Sequence, residues 1–182
     1  MDKGKVRILV VDDEEAIRGT VSSLLEEEGY EVTAVSSGEE ALARFGDDPF
    51  PLVITDILMP RLDGYALVHR LRSNPKTADI PIIFLSATYV TPEDRAFAMR
   101  LGVARFLEKP VETEEFLLTV AEVLTQEPAK LPEPLDDQQF NRGYRDRLEN
   151  KLRHKIGQIQ RTERLLKTLP EDQKPAFRTL LA

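Results

Sequence analysis

Five times between residues 6 and 124, a short apolar or β-branched run gives way to a stretch with helical spacing. The runs are Val6 to Val11, Glu31 to Val35, Leu52 to Thr55, Ile82 to Leu85 and Ala104 to Leu107. Their length and β-branching predict strands, and the first is continuous apart from Arg7. Between them, Glu15 to Leu25 carries Ile17, Val21, Leu24 and Leu25 at helical spacing, with Gly29 as its stop. Ser37 to Glu40 reads as a capping box opening a helix through Phe45. Gly64 to Arg72 is helical through Tyr65, Leu67, Val68 and Leu71. Thr91-Pro92 reads as an N-cap with proline at the first helical position, opening a helix to Leu101. A fifth helix is predicted over Thr113 to Leu124. Regular alternation of this kind predicts a parallel sheet with helices on both faces. Ligands of such folds sit beyond the carboxyl ends of the strands.

Polar residues gather at those ends. The first strand runs into Asp12-Asp13, the third into Asp56, the fourth into Ser86, and the fifth into Glu108-Lys109-Pro110. An acid at the end of a buried strand costs several kcal/mol unless cations or hydrogen bonds compensate it. No basic residue adjoins Asp56 in LVITDILMPRLDG, so its compensation has to come from other strands. Three carboxylates brought together repel one another. A hard divalent ion relieves that repulsion, and Mg2+ takes one or two carboxylates while keeping waters and room for a phosphate oxygen. Lys109 adds a second positive centre and Ser86 a donor. In that setting Asp56 is the candidate nucleophile.

Four motifs in order, VVDD at 10–13, TDILMPRLDG at 55–64, LSAT at 85–88 and FLEKP at 106–110, resemble the receiver domain of two-component response regulators. The resemblance covers residues 4 to 126. It implies a doubly wound, flavodoxin-like α/β fold with five parallel strands in the order 2-1-3-4-5. It also implies that Asp56 accepts a phosphoryl group from a sensor histidine kinase or phosphotransfer protein. Mg2+ is expected on Asp13, Asp56 and the backbone carbonyl of Leu58, with Asp12 acting through metal-bound water. Lys109 is expected to pair with the phosphoryl group and to precede a cis peptide bond to Pro110. Ser86 and Phe106 are the implied switch pair: the hydroxyl moves to the phosphoryl group and the ring turns inward. Phe106 stands where tyrosine is frequent, so no phenolic hydrogen bond is available; the apolar Leu58 flanks the path of attacking water, so an altered acyl-phosphate lifetime is expected. Such a protein is a signalling switch rather than an enzyme acting on external substrates.

Each residue also has a plainer reading. Asp12 and Asp13 could cap the first helix, Asp56 could belong to a turn, and Lys109 could be a solvated surface charge. Their joint arrival at strand ends favours the site. His69, among apolar helix positions, is expected to be structural, and His154 in KLRHKIGQ to be a surface residue.

Beyond residue 126 the pattern changes. Glu127 to Asp137 (EPAKLPEPLDD) holds three prolines and reads as a linker. Residues 138 to 182 then form a helical segment. One long helix is predicted to Leu169, with Tyr144, Leu148, Leu152, Ile156, Ile159, Leu166 and Leu169 as its apolar stripe. A turn over 170–175 and a second helix from Ala176 follow. Charge divides in the same way: residues 1–127 hold 13 Lys and Arg against 24 Asp and Glu, whereas residues 137–182 hold 11 against 6. The stripe is interrupted at Lys155 and Thr162, which favours a helical hairpin or coiled-coil pairing in a homodimer over an unbroken coiled coil. Phosphate contacts by the basic tail to RNA or DNA are the alternative. Disulfides and thiol chemistry are excluded because the chain has no cysteine. No apolar run has the length of a membrane span, and a cytoplasmic protein without membrane contact is expected.

Overall fold

A computed structural model describes residues 6–46, 50–86, 90–126, 130–170 and 174. The strands are β1 (Arg7–Val11), β2 (Glu31–Val35), β3 (Leu52–Asp56), β4 (Ile82–Ser86) and β5 (Arg105–Glu108). The helices are α1 (Glu15–Glu27), α2 (Gly38–Arg44), α3 (Gly64–Arg72), α4 (Pro92–Arg100), α5 (Thr113–Thr125) and α6 (Asp137–Thr168). All five strands are parallel, in the order β2-β1-β3-β4-β5. The chain forms two compact units, residues 1–140 and 141–182.

Register decides which side chains share a face. Ile8, Leu52, Val10, Ile54, Ile83, Leu85 and Leu107 form one set of rows, packed with Val21 and Leu25 of α1 and Phe116, Val120 and Val123 of α5. The alternate residues, among them Thr55, Phe84 and Phe106, form the opposite face, where Tyr65 of α3 meets the Phe84 ring edge-on at 5.4 Å. Strands β3 and β4 are buried throughout, as expected for central strands covered on both faces. Helices α1 and α5 pack on the first of these layers, and Tyr65 of α3 and Phe97 of α4 on the second.

The predicted helix starts hold, with one difference in detail. Thr91 and Asp94 form the reciprocal capping box of α4, with Pro92 at its first position. At α2, Ser37 Oγ accepts from the Glu40 N–H, but the Glu40 carboxylate takes the N–H and hydroxyl of Ser36 rather than the Ser37 N–H. The box is therefore displaced by one residue on its return side. Gly29 follows α1 with φ +89°, the left-handed geometry that favours glycine after a helix.

Residues 130–134 line a cavity at the amino-terminal edge of the sheet with Arg72, Gly102 and Arg105. A Cβ on Gly102 would stand 3.5 Å from Leu131 Cδ2 and 3.6 Å from Pro132 Cδ, so the proline-containing segment lies against the body at this point. Arg72 is buried beneath it and donates to the carbonyls of Ala78, Ile80 and Gly102. Burial pulls its guanidinium down to about 10, opposed by Asp79, so it stays charged at neutral pH.

The long helix predicted from Gln138 begins at Asp137. Asp136 and Gln139 cap it reciprocally: Asp136 Oδ1 accepts from the Gln139 N–H at 2.8 Å, and Gln139 Oε1 accepts from the Asp136 N–H at 3.2 Å. Leu148, Leu152, Ile156 and Ile159 of its apolar stripe are exposed. Arg153 pairs with Glu149 one turn earlier at 3.8 Å. Almost all of the predicted turn and second tail helix lies outside the described residues.

Candidate functional site

The parallel sheet brings the carboxyl ends of β1, β3, β4 and β5 to one edge. Val11 pairs with Thr55, Asp56 with Leu85, and Ser86 with Glu108. The chain exits β1 through Asp12, whose N–H donates to the Val35 carbonyl at 3.2 Å. Asp56 is the last residue of β3, and its continuation at Ile57 accepts the Gly64 N–H at 2.8 Å. Gly64 is obligatory on steric grounds. A Cβ there would stand 2.5 Å from the Asp56 carbonyl oxygen and 2.9 Å from Ile57 Cα, both backbone atoms.

Asp12, Asp13 and Asp56 each present a carboxylate oxygen within 4.8 Å of the others. Asp12 and Asp56 are buried, whereas Asp13 faces solvent. Lys109 reaches them from beyond β5, its Nζ 2.7 Å from Asp12 Oδ2 and 3.5 Å from Asp56 Oδ1. The Lys109 N–H donates to the Ser86 carbonyl at 2.8 Å, which extends the ladder by one residue and aims the side chain back across the sheet edge. The Lys109-Pro110 bond is cis, as expected. Asp12 has further ties: its Oδ1 accepts from the Glu14 N–H at 2.9 Å, and its carbonyl accepts from Arg18 at 2.7 Å. The capping alternative for Asp12 is thus partly realised in the loop before α1, alongside its place in the cluster.

The electrostatics are unbalanced. Burial pushes the Asp56 carboxyl up to about 6; Lys109 opposes that shift and Asp12 adds to it. One ammonium faces three carboxylates. The donor set is all oxygen and the deficit is positive, which fits a hard divalent cation.

Ser86 is buried at the end of β4. Leu58 is exposed, two residues past Asp56. Phe106 pairs in register with Phe84, their rings meeting edge-on at 5.9 Å, and Arg95 of α4 lies 5.0 Å over the Phe106 ring. Arg95 also pairs with Glu108. Thr88 of the LSAT motif lies outside the described residues.

Sequence reasoning missed two neighbours. Arg95 was one arginine among many on a polar helix, and only the α4–β5 packing gives it a role beside Phe106. Phe140 lies outside the predicted apolar stripe of the tail, yet it is the buried residue among those described in α6. His69 is structural as expected, stacked on Phe140 with ring centroids 4.1 Å apart.

A buried carboxylate at the end of a central strand, two further acids that with it could hold a metal ion, and a lysine from just beyond the last strand share one edge of a doubly wound α/β fold. Residues 8–121 match the model of the response regulator receiver domain, and the chain belongs to that family. It is 40% identical over 124 residues, 68% of its length, to the probable transcriptional regulator ycf27 of Porphyra purpurea, covering 49% of that protein. It is 36% identical over 121 residues, 66% of its length, to the gliding motility regulatory protein of Myxococcus xanthus, covering 15% of that protein. The chain thus spans half or less of the length of these relatives. Among solved structures, the Vibrio cholerae chemotaxis protein CheY4 matches with a TM-score of 0.62 at 32% identity, covering 66% of this chain and 99% of that one. A putative response regulator from Chloroflexus aurantiacus matches with a TM-score of 0.63 at 32% identity, covering 68% and 100%. Among the described residues no helix is long and apolar enough to cross a membrane.

Proposed function

We propose that Asp56 receives a phosphoryl group from a phosphohistidine on a sensor kinase or phosphotransfer protein. One Asp56 carboxylate oxygen attacks phosphorus, the phosphorus–nitrogen bond to the donor histidine breaks, and an aspartyl phosphate forms while the imidazole leaves with the electron pair. The observation that carries this reading is the Asp56 carboxylate, buried at the end of β3 yet faced by the Lys109 ammonium at 3.5 Å. Lys109 stabilises charge on the transferring phosphoryl oxygens. Asp12, Asp13, Asp56 and the Leu58 carbonyl would hold Mg2+, which when bound neutralises phosphoryl oxygen charge. The burial that raises the Asp56 proton affinity also keeps the nucleophile poorly solvated, so occupation of the cation site and ionisation of Asp56 favour each other. The protein catalyses its own phosphorylation and dephosphorylation and acts on no other substrate.

Ser86 and Phe106 report the modification as a switch pair: the hydroxyl turns to the phosphoryl group and the ring moves into the space it leaves. Output runs through the tail. The exposed Leu148, Leu152, Ile156 and Ile159 stripe supports pairing of α6 with a second copy, because a run of apolar side chains along a charged helix is stabilised by burial against another helix. The test is size-exclusion chromatography with light scattering, with and without Mg2+ and beryllofluoride. A dimer that dissociates in Leu152→Glu supports the assembly. A monomer at all concentrations refutes it, and a salt-dependent shift with RNA or DNA, lost on replacing Arg145, Arg153 and Arg161, would transfer the output to nucleic acid.

A further inference from the structure

Phe140 enters the receiver unit at a defined place. It is 6% exposed, stacked on His69 of α3 with ring planes 4° apart, and lies 6.1 Å from the Phe97 ring of α4. One turn earlier, Asp137 Oδ1 lies 3.0 Å from His69 Nε2. The Asp136–Gln139 cap makes this first turn of α6 self-contained, so the helix begins at its own anchor.

That anchor is one end of a continuous run of rings. Phe97 is 5.3 Å from Tyr65, Tyr65 is 5.4 Å from Phe84, and Phe84 is 5.9 Å from Phe106. Tyr65, Phe84 and Phe97 are all buried. Interiors packed at crystal-like density pass a displaced ring on to its neighbours instead of absorbing it in empty space. Arg95 adds a second link, because it sits over Phe106 and is carried by the same helix as Phe97.

We infer that the first turn of α6 is a clip on the α3–α4 face whose hold is set by the position of the Phe106 ring. This rests on the reading of Asp56 as phosphoacceptor and Phe106 as its switch, and it names how that switch reaches the tail. When Phe106 leaves Arg95 and the edge of Phe84, α4 is released from one side. The Phe97 surface against Phe140 then shifts and the clip loosens. Each ring contact of this geometry is worth roughly a few-fold in an equilibrium constant, so two altered contacts amount to about tenfold. The partly exposed Phe106 is the mobile end, and the buried Phe84, Tyr65 and Phe97 are the rigid middle.

The test is amide hydrogen exchange on the full chain, read at residues 137–141, with phosphoryl loading followed by intact mass. Acetyl phosphate with Mg2+ should add one phosphoryl group and speed exchange in this turn about five- to tenfold, with no effect in Asp56→Asn. In Phe97→Leu the mass gain should persist while the exchange response falls below about twofold, because the middle of the run is broken. Loading without any change in exchange overturns the clip and leaves the phosphoacceptor standing. If no phosphoryl group is gained, the phosphoacceptor reading fails, and the clip is decided by Phe106→Ala in untreated protein. Exchange at 137–141 should then rise about threefold, and an unchanged rate overturns the inference.

Discussion

Lys109 reaches back across the sheet edge to Asp12, its Nζ 2.7 Å from Asp12 Oδ2, joining residues 97 positions apart in the chain. Both side chains are largely withdrawn from water, and a buried charge pair broken on one side leaves the other charge uncompensated. Lys109→Ala is therefore expected to lower stability by about 2–4 kcal/mol at pH 8, measured by urea denaturation. The loss should shrink when Mg2+ is added or the pH is lowered, since the ion would offset the facing carboxylates and acid neutralises Asp56. A loss that ignores both would mean that Lys109 acts by packing alone.

Asp56 makes stability depend on pH in an unusual direction for a carboxylate. Its group in the native state titrates at about 6, pushed up chiefly by burial, against an ordinary value of 3.8. The native state therefore binds this proton more tightly than the unfolded chain does. The contribution is fully present below about pH 4 and lost as pH rises through about 6. Asp56→Asn should be more stable than the wild type at pH 8 by about 1–2 kcal/mol, after discounting for partial solvation, and should lose that advantage at pH 4. Denaturation of the two proteins at both pH values checks the sign. Mg2+ should stabilise the wild type more than the variant, in proportion to its occupancy.

Gly64 fixes where Asp56 stands. Because a Cβ there would press on the Asp56 carbonyl oxygen and Ile57 Cα, Gly64→Ala must displace the end of β3. The cost should be about 2–3 kcal/mol despite the better helix propensity of alanine, with weaker Mg2+ binding by titration. A neutral or stabilising substitution with unchanged Mg2+ affinity would show that the β3–α3 turn has slack that its backbone contacts do not suggest.

Much of this fold was legible because each strand announces itself. Val6 to Val11 is too short and too β-branched to be a helix, and it closes on two acids. Ile82 to Ser86 does the same with a hydroxyl. Once the strands are parallel, Asp12, Asp56, Ser86 and Lys109 have to share an edge, so the site followed from topology. The displaced cap at Ser36 and Glu40 did not follow, because the choice between two adjacent N–H groups depends on a backbone bend of one residue. Arg72 was equally opaque. Its three carbonyl partners come from Ala78, Ile80 and Gly102, and nothing local distinguishes it from the neighbouring Arg70. The aromatic run from Phe106 to Phe140 crosses β5, β4, α3, α4 and α6, and its members are spaced without period in the chain.

The central claim is that Asp56 carries a transient covalent phosphoryl group. Its most direct test is intact mass and peptide mapping after incubation with acetyl phosphate, with Mg2+ and with chelator. The account predicts one added phosphoryl group, located on Asp56, dependent on Mg2+, and absent in Asp56→Asn. An unmodified chain in the presence of Mg2+ and a panel of phosphorylated sensor kinases, or a label that persists in Asp56→Asn, would contradict it.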